Sequence, residues 1–373
     1  MSRTAFCTIL SSGFVSRGLV MLQSLREVLP EAELTVLCMD SRTRPVLERL
    51  GLAGLETVSL AELEVYEPRL HGVKSERTLA ELCWTAKPTL CHYLLDRQPT
   101  TETLVYVDAD TMFFASPALL LDELGDGFAL IVPHRSLSDH GWEQTHGIYN
   151  AGFLVFRRDS RTTETLRWWG ERCLEWCFDR VELGRFCDQK YLDDWPERFP
   201  GVHPLRHPGA GLAPWNAENH RLTAEREGVH VDGVPLVFYH FQSLRLYRGF
   251  VAQLRRLGLL PARYHRVPDL GALAWSVYSS YEVSSDAERL VYIPYVRRLA
   301  AAADRLAALS DRVDRTFAEL GTGQTIREIA RAVVPGAARS ALRRAQSVLR
   351  RGRDRSLTRV VAATRDEPPE QDP

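Results

Sequence analysis

The chain has 373 residues, 45% hydrophobic and 25% charged, with a formal net charge of −1, the make-up of a soluble globular protein with one large domain and an appendage, or two domains. No apolar run approaches the roughly 20 residues that cross a bilayer. The seven cysteines (7, 38, 83, 91, 173, 177 and 187) lack the paired spacing of a zinc site; Cys173 and Cys177 sit in an apolar, Trp-rich stretch and read as core thiols. Met1-Ser-Arg-Thr runs directly into a strand-like segment without a signal-peptide plan, so a reduced, cytoplasmic compartment is expected.

Residues 5–10 read as a first strand, followed by the small-residue loop Ser11-Ser12-Gly13, a helix over 19–28 and a second strand over 34–39. A β-loop-α-β opening predicts an α/β, mostly parallel sheet with helices on both faces. Thr8 and Ser11 are the candidate nucleotide contacts of this strand and loop. The fingerprint G-x-G-x-x-G is absent, so a dinucleotide fold is not indicated. Residues 75–95 carry apolar positions at helical spacing, interrupted at Lys87-Pro88; a helix starting at Pro88 would bring Lys87 near its positive end. Lys87 is notable in a chain with three lysines, at 74, 87 and 190, and arginine elsewhere.

Next comes the segment around which the chain is organised. Residues 104–107 form a short apolar run of the kind buried on both faces of a sheet, and it ends at Asp108-Ala109-Asp110. Residues two apart on an extended segment point the same way, so both carboxylates can share one Mg²⁺ or Mn²⁺ ion. Beyond it, 134–146 reads as a polar loop over the site, and 153–156 as a strand with Asn150-Ala-Gly152 at its mouth. Trp168, Trp169 and Trp176 mark a helix whose tryptophans face the core. Asp188 is a candidate N-cap for a short helix carrying Gln189 and Lys190, and a late strand ends at His240.

The motifs Tyr106-Val-Asp-Ala-Asp110, Tyr149-Asn-Ala-Gly-Phe153, Asp188-Gln-Lys-Tyr-Leu192, Ala213-Pro-Trp-Asn216 and Tyr239-His-Phe241 occur in that order. Together they resemble bacterial GT-A glycosyltransferases, a nucleotide-diphospho-sugar transferase family related to the galactosyltransferase and glycogenin-like group, over about residues 4–250. The resemblance implies a Rossmann-like GT-A domain. It implies Mn²⁺ or Mg²⁺ on Asp108, Asp110 and His240; imidazole suits Mn²⁺ better than Mg²⁺. It further implies donor-sugar contacts from Asn150 and Gly152, and an Asp188-Gln189 segment facing the anomeric carbon. Asn216, and Lys87 with Arg245 or Arg248, would face the nucleotide and its phosphates. Where the related group reads Asp-Gln-Asp, this chain has Lys190. Asp188 and Asp139 are candidate bases. The expected donor is a UDP-sugar, and the expected acceptor a glycan or a lipid-linked sugar. Two alternatives are a sugar-phosphate nucleotidylyltransferase, which would usually show a glycine-rich basic first loop, and an inactive sugar-nucleotide-binding protein.

The expected organisation is a transferase domain over 1–265, a helical basic region over 266–365 and a disordered tail over 366–373. Residues 327–359 hold ten arginines against two acids, interleaved with apolar residues. Basic amphipathic helices of this type suit peripheral contact with an anionic inner-membrane face, or packing on a partner. Aromatics are missing from the basic stretch, which argues against nucleic acid.

Overall fold

The computed structural model describes residues 3–136, 142–249, 264–267, 273–277, 281–309 and 317. The chain divides into two compact units, Met1–Gln242 with Tyr281–Thr316, and Ser243–Ser280 with Phe317–Pro373.

The first unit is built on a seven-stranded sheet of β1 (Thr4–Leu10), β2 (Glu33–Cys38), β3 (Leu55–Ser59), β4 (Thr103–Val107), β6 (Ala129–Pro133), β7 (Tyr149–Arg157) and β8 (Val202–Pro204). Its order is β3-β2-β1-β4-β7-β6-β8. β3, β2, β1 and β4 run parallel, β7 runs antiparallel to both neighbours, and β8 is parallel to β6. Every residue of β4 is buried, as the apolar run 104–107 that makes up most of it requires. β1 shows how two helical layers arise. Ala5, Cys7 and Ile9 join the cluster formed with α5 (Leu79–Arg97) and α8 (Ser160–Glu175), while Leu10 lies against Gly18 of α1 (Val15–Val28).

The shorter helices α2 (Thr43–Leu50), α3 (Leu60–Tyr66), α4 (Arg69–Val73), α6 (Ala118–Leu121) and α7 (Trp142–His146) lie between strands. β5 (Thr111–Phe113) follows the Asp-x-Asp segment at once. After the small sheet of β9 (Leu222–Glu225), β10 (Gly228–Val231) and β11 (Val234–Pro235), β12 (Phe238–His240) pairs antiparallel with β5, setting His240 opposite Thr111. Helix Ile293–Ala307 closes the unit, with Arg298 paired to Glu27 of α1. No described helix is long and apolar enough to cross a membrane. In the second unit, β13 (Arg245–Arg248) and β14 (His265–Arg266) flank β15 (Leu273–Ser276).

Several local readings are corrected. α5 runs unbroken from Leu79 to Arg97 with Pro88 inside it. Proline removes one backbone donor there, but the helix is held by buried Leu82, Ala86, Leu90 and Cys91, and by a Thr78–Glu81 capping box at its start. Lys87 is therefore at mid-helix, not at a positive end. β7 begins at Tyr149, so Asn150-Ala-Gly152 lies within the strand rather than at its mouth. The 134–146 segment is not all loop: His134 is buried and Trp142–His146 is helical. Residues 273–276, inside the stretch expected to be helical, form a strand. The basic residues 327–359 lie outside the described residues, as does Asp139.

Candidate active site

β4 delivers Asp108 and Asp110 just beyond its last residue, and two neighbouring strands fix them. The Asp108 backbone N–H donates to the Gly152 carbonyl at 2.8 Å, and the Phe241 N–H donates to the Asp110 carbonyl at 2.7 Å. The second bond continues the β5–β12 ladder, so the residue preceding Phe241 reaches the acid pair. His240 Nε2 lies 3.1 Å from Asp110 Oδ1 and 3.9 Å from Asp108 Oδ2. One ligand atom from each of the three falls within 4.8 Å of the others. Both carboxylates are part-exposed, and His240 is nearly buried. Burial alone would lower the His240 pKa; the charges of Asp110 and Asp108 overcome it and raise it. Burial pushes Asp110 the other way from His240 and Arg17, which together hold its pKa below the usual carboxylate range.

Gly152 makes room for the cluster. A β-carbon there would come within 2.6 Å of Asn150 Oδ1, 2.9 Å of Asp108 Oδ2 and 3.0 Å of His240 Cε1. Two hard oxygen ligands and an imidazole nitrogen, converging on a space that a methyl group would fill, fit a divalent cation such as Mn²⁺.

Behind the carboxylates lies Lys87, 2% exposed. Its ammonium reaches Asp188 Oδ2 at 2.8 Å, the Ala151 carbonyl at 3.0 Å and Asp108 Oδ1 at 3.5 Å. Burial alone would lower its pKa, but the charges of Asp108 and Asp188 outweigh burial and raise it, so it stays an ammonium. It donates a hydrogen bond to the Ala151 carbonyl and forms ion pairs with the two carboxylates. Asp188 is not a side-chain cap of the following turn (Gln189–Leu192); its carboxylate faces Lys87. Burial pushes the Asp188 carboxyl up against the opposing pull of Lys87. Trp169 Nε1 of α8 donates to the Asp188 carbonyl at 2.9 Å and fixes its backbone.

Asn150 and Gln189 meet beside this group. Asn150 Oδ1 accepts from the Gly152 N–H at 2.8 Å, and its amide nitrogen faces Gln189 Oε1 at 3.5 Å. Gln189 Nε2 donates to the His146 carbonyl at 2.8 Å. Lys190 bonds Asp193 at 2.5 Å and faces the Glu143 carbonyl at 3.5 Å, bracing α7.

The structure thus brings together Asp108, Asp110, His240, Lys87, Asp188, Asn150, Gly152 and Gln189. Thr8 is fully buried in β1, while Ser11 is part-exposed in the loop after it. That loop is fixed by Asp40, which accepts from the N–H groups of Ser12, Arg42 and Thr43. Asn216 is completely buried, with its amide N–H groups on the His134 and Gly211 carbonyls and its oxygen on the Ala213 N–H; it holds its own loop and offers nothing to a ligand. Arg245 and Arg248 belong to the second unit.

Two contributors were not foreseen. Tyr106 donates its hydroxyl to Asp108 Oδ1 at 2.8 Å; its position two before Asp108 on a strand was the available signal. Arg17 lends positive charge to Asp110 from the first turn of α1, with no signal in the sequence beyond that position.

A family model described as nucleotide-diphospho-sugar transferase matches residues 32–203. Protein YfnF of Bacillus subtilis (strain 168) is 34% identical over 251 residues, covering 65% of this chain and 82% of YfnF. The chain belongs to the nucleotide-diphospho-sugar transferase family. Protein YfnD of the same organism is 28% identical to the transferase over 302 residues, 80% of this chain and 89% of YfnD. Among solved structures, the galactosyltransferase LgtC in complex with donor and acceptor sugar analogs aligns at a TM-score of 0.46 and 17% identity, over 64% of this chain and 87% of that one. The transferase is a glycosyltransferase with a mostly parallel central sheet, and its C-terminal part includes a helical segment at 285–307.

Proposed function

We propose that the protein transfers a sugar from a UDP-sugar to a glycan or lipid-linked acceptor, with a divalent cation held by Asp108, Asp110 and His240. The observation that carries this reading is the convergence on one point of Asp108 and Asp110 with His240, which lies 130 residues beyond Asp110. The ion, Mn²⁺ or Mg²⁺, would supply Lewis-acid stabilisation of the negative charge that develops on the departing nucleoside diphosphate.

The protein groups then have separate tasks. Tyr106 and Lys87 hold Asp108 from behind, and Arg17 biases Asp110 towards its anion. Lys87 is a positioning residue in this reading, because it is 2% exposed and ion-paired with Asp108 and Asp188 inside the protein. Asn150 and Gln189 orient the sugar. Asp188, its carboxylate 4% exposed and turned to Lys87, anchors the turn that carries Gln189. The loop at Ser11 lies where a nucleotide would meet the C-terminal end of β1.

A donor screen tests this. Nucleoside diphosphate release is measured with Mn²⁺ against a panel of sugar nucleotides, for the parent and for Asp110→Ala. Release from one donor class, lost in folded Asp110→Ala, supports the reading. Equal release from both proteins removes the metal assignment, and no release from any donor favours an inactive sugar-nucleotide-binding protein.

A cytoplasmic location at the inner membrane face is part of the same proposal, supported by the arginine-rich composition of 327–359. Salt-sensitive co-sedimentation with anionic vesicles, lost on truncation near residue 321, is the expected result. Absence of binding at low salt would assign these residues to packing or oligomer contacts.

A further inference from the structure

Two open cavities in the first unit lie along α8, apart from the Asp108–Asp110–His240 cluster. One, of about 530 Å³, runs along positions 160, 163, 164, 167, 168 and 171, with Phe199 opposite. These positions recur at three- and four-residue spacing, which is one side of a helix. The second, of about 260 Å³, shares Arg167 and Glu171 and reaches Tyr66, Arg69 and His92.

The chemistry of this trough differs from that of the surface around it. Trp168 packs against the core cluster, as expected, but stays part-exposed; the Arg198 guanidinium lies over its ring at 4.7 Å, and it meets Phe199 edge to face at 5.7 Å between ring centres. Nearby charges are paired: Arg161 with Asp159, Arg172 with Glu175 and Arg198 with Asp194. Among the described residues, Glu164, Arg167 and Glu171 make no ion pair or side-chain hydrogen bond. Three carboxylates, Glu67, Glu164 and Glu171, stand against the two guanidiniums of Arg69 and Arg167. That balance offers no attraction to a polyphosphate or an anionic lipid surface.

We propose that this trough is a secondary binding site for a neutral oligosaccharide, the acceptor chain of the transfer reaction. The part-exposed rings of Trp168 and Phe199 offer apolar surface to the C–H face of a sugar ring. Planar carboxylate and guanidinium heads pair with its hydroxyls through charge-assisted hydrogen bonds. An open trough, rather than an enclosed pocket, admits a chain longer than one ring. Trp168 and Trp169 connect the two sites: Trp169 turns inward to the Asp188 carbonyl, and Trp168 lies at the outer trough. A chain bound there stays attached to the enzyme beyond the transfer site. This role rests on the transferase reading.

The test is calorimetric titration of the full-length protein with neutral gluco-, galacto- and manno-hexasaccharides, without nucleotide. At least one should bind saturably. Trp168→Ala should weaken that binding at least about tenfold, the loss of one good contact. Because Trp168→Ala also removes packing, Arg167→Gln and Glu171→Gln serve as milder variants and should weaken it in the same direction. Asp110→Ala should bind the hexasaccharide as the parent does. Absence of binding by every hexasaccharide, binding untouched by Arg167→Gln and Glu171→Gln, or binding lost in Asp110→Ala would each overturn the proposal. Donor hydrolysis without acceptor is measured in parallel and should be unaffected by the trough variants; its absence in the parent would instead count against the transferase reading.

Discussion

Replacing Lys87 by methionine tests the architecture beneath the candidate metal site. The ammonium is 2% exposed and contacts two carboxylates and one backbone carbonyl. Methionine keeps most of the volume of the side chain but removes the charge and every donor. Asp188, with its side chain 4% exposed, is then left as a buried carboxylate without its counter-charge. Removing one partner of a buried pair costs about 3–5 kcal/mol. At roughly 2–4 °C of melting temperature per kcal/mol, the shift is on the order of 10 °C. Urea unfolding of the parent, Lys87→Met and Lys87→Met/Asp188→Leu gives the measurement. The double variant, which removes both charges, should regain much of the stability and none of the turnover. A loss within about 1 kcal/mol for Lys87→Met, the range of an exposed pair, would refute the reasoning. So would a double variant no more stable than the single one.

The remaining predictions concern other parts of the site. His240→Ala should raise the Mn²⁺ concentration needed for half-maximal activity; superimposable metal titrations of variant and parent would leave His240 a packing residue. Gln189→Ala or Asn150→Ala should lower turnover with little change in nucleoside diphosphate affinity, since their contacts lie beyond the phosphates; equal losses of affinity would contradict this placement. Burial lowers the pKa of His134 to about 3, so it stays neutral in the folded protein while the unfolded chain protonates near 6.5. Stability should therefore fall with pH between those values, by up to about 1.4 kcal/mol per unit from this group. His134→Gln should show a shallower decline between pH 7.5 and 5.5 in urea unfolding, and parallel declines would exclude His134 as the source.

The sequence alone carried the short-range determinants. The apolar run 104–107 of β4 reads as a buried strand because its four residues must leave water, and Asp108 and Asp110 share a side because strand geometry repeats every two residues. Local pattern misjudged Lys87-Pro88. Proline marks a helix boundary by backbone chemistry, yet packing of α5 against the sheet and α8 carries the helix through it. Only the tertiary structure decided what the charged and amide side chains do, because their partners are distant in the chain. Lys87 finds Asp188 one hundred and one positions away and is buried against it. Asn216, in a motif that implied a nucleotide contact, is filled by backbone groups of its own loop and of His134. The two adjacent tryptophans of α8 share the same side-chain chemistry, but rotation about the helix puts Trp169 inside against Asp188 and Trp168 at the outer trough. Side-chain type and spacing state which chemistry is available, and the pairing of strands and helices across the chain determines which groups remain free to perform it.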